Sequence, residues 1–196
     1  MAAQSKPPAK AHADVAAGHF VEFYESEELL AEHIADFARR ALATGSPMLI
    51  IAEPRRLELL ARAGADIQAA LRAGKIVTLD SRATLATFMV GESPSAARFE
   101  REVGSKLQAL GHGVQRVWAY GDMVNLLWRE GNPGAALELE ALWNTLCRRT
   151  GVPLMCAYHK ANFIREAANG EGIADVCRIH DHVVPAQRTT PVPILR

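Results

Sequence analysis

The chain has 196 residues, 49% apolar side chains, and 22 basic against 22 acidic residues, a size and balance that fit one α/β domain with a substantial core. Even charge without a basic block excludes a dense phosphate-neutralising surface, so no direct nucleic-acid contact is expected. Three cysteines, Cys147, Cys156 and Cys177, are too few and odd in number for a disulfide framework; with no secretory h-region and no membrane-length apolar run, a cytoplasmic protein without membrane contact is expected.

Residues 1–17, rich in Ala, Pro and Lys, read as a disordered leader. Val21 to Tyr24 reads as the first strand, and Ser26 as the N-cap of a helix with Leu30, Ile34, Phe37, Ala38 and Ala41 at helical spacing. Gly45 ends that helix. Met48 to Ala52 is an unbroken apolar run, the pattern of a strand buried on both faces of a parallel sheet. Pro54 suits the first turn of the next helix. A third strand follows at Lys75 to Leu79, with Asp80 or Ser81 capping a short helix through Leu85 and Met89.

Beyond a loop at Gly91 to Pro94, one helix is expected to carry Phe99, Val103, Leu107 and Leu110. Val114 to Tyr120 reads as a fourth strand and Pro153 to Tyr158 as a fifth. Between them lie a helix with Val124, Leu127 and Trp128, and another from Asn132-Pro133 with Leu139, Leu142, Trp143 and Leu146 as its stripe. Helical segments then hold Phe163, Ile164, Ile173, Val176 and Ile179, and Val183 to Arg196 reads as an extended, Pro-containing tail. This alternation predicts a three-layer sandwich around a mostly parallel sheet.

In such sheets ligands bind at the carboxyl ends of the strands. Those ends carry Tyr24 and Glu25, Glu53, Asp80, Tyr120 and Asp122, and Tyr158 and His159, which together form a candidate small-molecule pocket. Helix capping by Glu53, Asp80 and Asp122, with the tyrosines filling core edges, is the competing reading. At the first of these ends, where a nucleotide-binding protein of this layout carries a glycine-rich phosphate loop, the chain has Tyr24-Glu25-Ser26-Glu27-Glu28. Neither the glycines nor the Lys-Ser/Thr pair is there, and three carboxylates suit the helix dipole but repel a triphosphate.

Cys156 and His159, with Cys177 and His180, are the residues of metal-ligating type at close spacing. Cys156 lies in an apolar strand and reads more simply as a small buried hydrophobe, so no metal and no cofactor is expected. Glu22, inside the first strand, needs a partner such as Arg116 on a neighbouring strand, or a place near the sheet edge.

The ordered series His19-Phe20-Val21-Glu22-Phe23-Tyr24, Thr84-Leu85, Phe88-Met89, Tyr120-Gly121-Asp122-Met123-Val124, Leu126-Leu127-Trp128, Gly131-Asn132-Pro133, Leu139-Glu140 to Trp143-Asn144, Leu154 to Tyr158, and Cys177 with His180 resembles the MEDS sensory family. The resemblance covers about residues 18 to 185, leaving 186–196 as tail. One departure is Asp122, where the family is expected to place Glu.

The resemblance implies a non-enzymatic signal-transduction module that senses small hydrocarbon derivatives, on a core related to RecA and KaiC-type ATPases but without a working P-loop. Family members commonly carry a helix-turn-helix or histidine-kinase output. With no segment left for one, this chain is expected to act through a regulatory partner, such as a histidine kinase or transcription regulator, or by forming a homodimer. An ATPase-like enzyme on the same scaffold and a ligand-free interaction scaffold are the alternatives.

Overall fold

The apolar run Met48–Ala52 becomes β2, a strand buried along its whole length, because β-branched and aliphatic residues in unbroken series suit a strand covered on both faces. The computed structural model describes residues 18–114, 116–163 and 171–184; the expected leader at 1–17, Ile164 and the tail beyond Val184 lie outside them. Five further strands join β2: β1 (His19–Tyr24), β3 (Ile76–Asp80), β6 (Trp118–Gly121), β7 (Leu154–His159) and β8 (His182–Val184). Their order is β3-β2-β6-β7-β1-β8, and every pairing in this sheet is parallel. A small antiparallel pair, β4 (Met89–Val90) with β5 (Ser93–Pro94), stands apart.

Helices α1 (Glu27–Ala43), α2 (Pro54–Ala61) and α3 (Ala65–Arg72) cover one face, where Leu30, Ile34, Leu60 and Ile67 meet Ile50, Tyr120 and Met155. The other face is covered by α4 (Ser81–Phe88), α5 (Ala96–Phe99), α6 (Ser105–Leu110), α7 (Met123–Arg129), α8 (Pro133–Thr150) and α9 (Glu171–Ile179). There Phe88, Phe99, Leu127 and Trp143 meet Leu49, Ile51 and Tyr158. The α/β three-layer sandwich expected from the alternation is therefore the observed fold.

Local signals place most boundaries. Ser26 caps α1 by accepting from Leu29 N at 3.2 Å, Asp80 caps α4 by accepting from Ala83 N at 2.6 Å, and Asn132 caps α8 by accepting from Ala135 N at 3.0 Å. The single helix expected around Phe99 to Leu110 contains a π-helical turn, Glu100–Gly104, between α5 and α6.

Three expectations are corrected. The fourth strand begins at Trp118 and not at Val114, because its neighbour β2 begins at Met48, the register partner of Trp118. Val183 and Val184, read as the start of a tail, belong to edge strand β8, which pairs with β1 through Phe20↔His182 to Glu22↔Val184. Glu22 pairs with His33 Nδ1 of α1 at 2.6 Å in place of Arg116, while its strand β1 lies next to the edge strand, the other setting expected for it.

Candidate functional site

Besides β3 and β2, which lead to α4 and α2, two places in the sheet have neighbouring strands whose exits diverge to opposite faces. From β2 the chain enters α2, whereas from the adjacent β6 it enters α7; likewise β1 leads to α1, while β7 leads toward α9. Such divergence opens a crevice at the carboxyl edge, and a buried polar network fills it.

Asp122, directly after β6, is fully buried. Its Oδ2 accepts from Glu53 N at 3.1 Å and from the Arg56 guanidinium, and its Oδ1 accepts from the Ser81 hydroxyl. Asp122 occupies the N-cap position of α7 without making a side-chain cap; it joins β2, α2 and α4 instead. Burial raises its pKa, against the pull of Arg56, Ser81 and the Glu53 N–H.

Arg56 is only 2% exposed. It reaches Tyr24 Oη at 2.7 Å and Glu27 Oε2 at 2.7 Å, and its guanidinium carbon lies 5.1 Å from the Tyr24 ring centroid. Burial works against its charge, but Tyr120, Asp122, Tyr24 and Glu27 together raise its pKa. The Tyr24 hydroxyl donates to Glu27 Oε1 at 3.1 Å, and burial lifts its pKa above the ordinary value.

Asn125 of α7 closes the second divergence. Its Nδ2 faces Tyr24 Oη at 3.4 Å, while its Oδ1 accepts from His159 N at 2.8 Å and Asn162 Nδ2 at 2.7 Å. The His159 ring stands edge-on to Tyr24, with centroids 5.0 Å apart. Tyr120 is fully buried on the same face as Tyr24, and its hydroxyl has no hydrogen-bond partner among the described residues. A buried orphan hydroxyl is uncommon and calls for a partner such as water or a ligand.

The remaining expected residues separate. Glu53 forms a two-pronged pair with Arg129 at 2.9 and 2.7 Å, and that pairing lowers its pKa. Glu25 is exposed and bonded to Lys160 Nζ at 2.7 Å. Asp80 is the cap of α4. These three form the rim. Tyr158 does not share the Tyr24 pocket: parallel register sets it beside Phe23, so it points to the opposite face, where its hydroxyl donates to Glu140.

On that opposite face lies a second buried polar cluster, formed by His19, Glu140, Cys156 and His180. Of the residues with metal-ligating chemistry singled out in the sequence, it contains Cys156 and His180 but neither His159, which lies beside Tyr24, nor the half-buried Cys177. His19 Nε2 is 3.2 Å from Glu140 Oε2 and 3.2 Å from Cys156 Sγ; His180 Nε2 is 3.3 Å from Glu140 Oε1. Burial disfavours ionised Glu140, yet His180 and His19 outweigh it and hold the carboxyl well below its usual range.

The sequence carried a local signal for two of the buried residues that were missed. Arg56 lies four residues before Leu60 on the buried stripe of α2, and Glu140 falls among Ala136, Trp143 and Cys147 on the buried stripe of α8. A charged residue on an apolar stripe signals a buried polar contact.

Among the described residues no helix is long and apolar enough to cross a membrane. No curated protein matches the chain. Residues 18–181 match the family described as MEDS, the MEthanogen/methylotroph, DcmR Sensory domain. Since the match spans most of the chain and the α/β sheet is the one its residues predicted, the chain belongs to the MEDS family of sensory domains.

Proposed function

We propose that this sensory domain binds a small organic molecule, of the hydrocarbon-derivative class, in the crevice between the exits of β2 and β6, and signals through protein contact without catalysis. One observation carries the reading: the Tyr120 hydroxyl, without a hydrogen-bond partner among the described residues, is buried on the face that holds Tyr24 and Arg56. A ligand with one polar atom would satisfy that hydroxyl and compete with Tyr24 and Glu27 for the Arg56 guanidinium. Exchange of those partners alters the packing of α1 on α2, because Glu27 belongs to α1 and Arg56 to α2. A ligand shifts such an arrangement only by its different affinity for the two states. The output is a regulatory partner, such as a histidine kinase or transcription regulator, or a second copy of the chain.

A thermal-shift series with small alcohols, halocarbons and nucleotides tests the binding. Stabilisation by an alcohol or halocarbon should grow logarithmically with concentration above Kd in the wild type and shrink in Tyr120→Phe. Magnesium-dependent ATP hydrolysis by metal-stripped protein would replace this reading with the ATPase-like one.

A second location is favoured by a cavity of about 420 Å³ beside α6 and α8 at the opposite strand ends, lined by Leu107, Val114, Val117, Arg149 and Val152. Its volume is that of a small-molecule site. If Val117→Trp abolishes the thermal shift and Tyr120→Phe does not, the ligand occupies that cavity.

A further inference from the structure

The cluster under α8 and α9 has a geometry that the sensory reading leaves unused. His19 Nε2 or Nδ1, Cys156 Sγ, a Glu140 oxygen and a His180 ring nitrogen all lie within 4.8 Å of one another, and all four residues are buried. Four separations are resolved individually: 3.2 Å from His19 Nε2 to Cys156 Sγ, 3.2 Å from His19 Nε2 to Glu140 Oε2, 3.5 Å from Cys156 Sγ to Glu140 Oε2, and 3.3 Å from His180 Nε2 to Glu140 Oε1. A tetrahedral ion with bonds of roughly 2.0–2.3 Å has ligand-to-ligand edges of roughly 3.3–3.8 Å. The three separations among His19 Nε2, Cys156 Sγ and Glu140 Oε2 are already close to those dimensions, and the His180 nitrogen lies within 4.8 Å of the set.

Proton positions follow from the outer partners. The Val176 carbonyl oxygen can only accept, so His180 Nδ1, 2.7 Å away, carries a hydrogen. Asn144 Nδ2 donates to Ile179 O at 2.9 Å, which leaves Asn144 Oδ1 facing His19 Nδ1 at 3.1 Å; that nitrogen carries a hydrogen as well. In the neutral rings both Nε2 atoms are then lone pairs aimed at a carboxylate and a sulfur. His180 Nε2 has no hydrogen bond among the described residues. Imidazoles anchored through Nδ1–H to oxygen, with Nε2 converging on one centre, are arranged as metal ligands are. Tyr158 completes the outer shell by donating to Glu140 Oε1 at 2.8 Å, leaving Oε2 toward the centre. The Cys156 thiol donates to Glu140 Oε2, and a proton on one ring would relieve that ring's edge to the carboxylate; a divalent cation would satisfy all four ligand groups at once.

We infer that His19, Glu140, Cys156 and His180 form a closed, structural site for a zinc-class divalent cation. One thiolate, two imidazoles and one carboxylate suit a borderline-soft ion, and four protein ligands leave no open position for chemistry. The ligands come from β1, α8, β7 and the residue after α9. The ion would thus fasten α9, and edge strand β8 just beyond it, to the sheet. The site lies on the opposite face from the Tyr120 crevice and does not depend on the ligand reading.

The test uses the full chain, prepared without chelator, with metal content measured by elemental analysis and native mass spectrometry. One equivalent of zinc per chain is expected. After stripping and reloading with cobalt(II), visible bands of tetrahedral intensity and a near-ultraviolet thiolate-to-cobalt band are expected. Cys156→Ser should lose the thiolate band, Cys177→Ser should keep it, and Asn144→Ala should weaken zinc affinity by roughly 10- to 100-fold. Folded wild-type protein that, after incubation with excess zinc and desalting, holds well below one equivalent and gives no thiolate band with cobalt overturns the proposal. Loss of that band in Cys177→Ser or His159→Ala, with His19→Gln unaffected, overturns this ligand set. The wild-type readings decide the matter even if Cys156→Ser does not fold.

Discussion

The Tyr158 hydroxyl donates to Glu140 Oε1 at 2.8 Å from the face of the sheet opposite Tyr24, although their strands are hydrogen-bonded neighbours. Register explains the separation: Tyr24 stands beside His159 and Phe23 beside Tyr158, and successive strand residues point to opposite faces. Tyr158→Phe should therefore destabilise the fold by about 1.5–3 kcal/mol, the contribution of a hydrogen bond to a charged group. The carboxyl-edge crevice should be untouched. Urea unfolding with an unchanged m-value checks the first part, and an unaltered thermal shift from a crevice ligand checks the second.

Asp122 and Arg56 form a buried pair in which each is the other's compensation. Asp122→Ala leaves a buried guanidinium short of its partner and should cost about 3–5 kcal/mol. Replacing both residues by apolar side chains, Asp122→Val with Arg56→Leu, should cost less than the sum of the two single changes. A double-mutant cycle in urea makes the comparison; additive effects would mean that Glu27 and Tyr24 hold Arg56 without help from Asp122.

His33 of α1, paired with Glu22 at 2.6 Å, is expected to make part of the stability depend on pH. Its hydrogen bond to Glu22 is the largest influence and raises its pKa above the ordinary 6.5, with Asp36 and Glu32 adding to it and burial opposing. A raised folded-state pKa means that the contribution is fully present below the unfolded pKa and is lost as pH rises through the folded one. Wild-type protein should thus lose more stability between about pH 6 and about pH 9 than His33→Gln does. Parallel curves of urea midpoint against pH would exclude this role for His33.

Gly151 ends α8 in the left-handed region, with φ of +69°, and a Cβ there would meet nothing within 4 Å. Steric room is therefore available, and only the backbone preference opposes a side chain. Gly151→Ala should cost about 1 kcal/mol, read as a lower urea midpoint, whereas Gly151→Asn should cost less because Asn tolerates that conformation.

Local chemistry by itself determined the alternation of strands and helices, the caps at Ser26, Asp80 and Asn132, and the apolar faces that turn toward the sheet. These signals act within a few residues, through hydrogen bonds to nearby N–H groups and through periods of two and 3.6. The order of the strands, and with it the identity of neighbours, was decided only in the tertiary structure. β8 is a strand because β1 offers an edge; three residues carry too little pattern to announce one. Asp122 has the sequence position of a helix cap, yet its carboxylate turns to Arg56, because a buried guanidinium from α2 offers a stronger partner than a backbone N–H. Likewise His19, Glu140, Cys156 and His180 are scattered along the chain and meet only because β7 pairs with β1 while α8 and α9 pack over both. Each of these contacts depends on two elements docking at once, which no local spacing encodes.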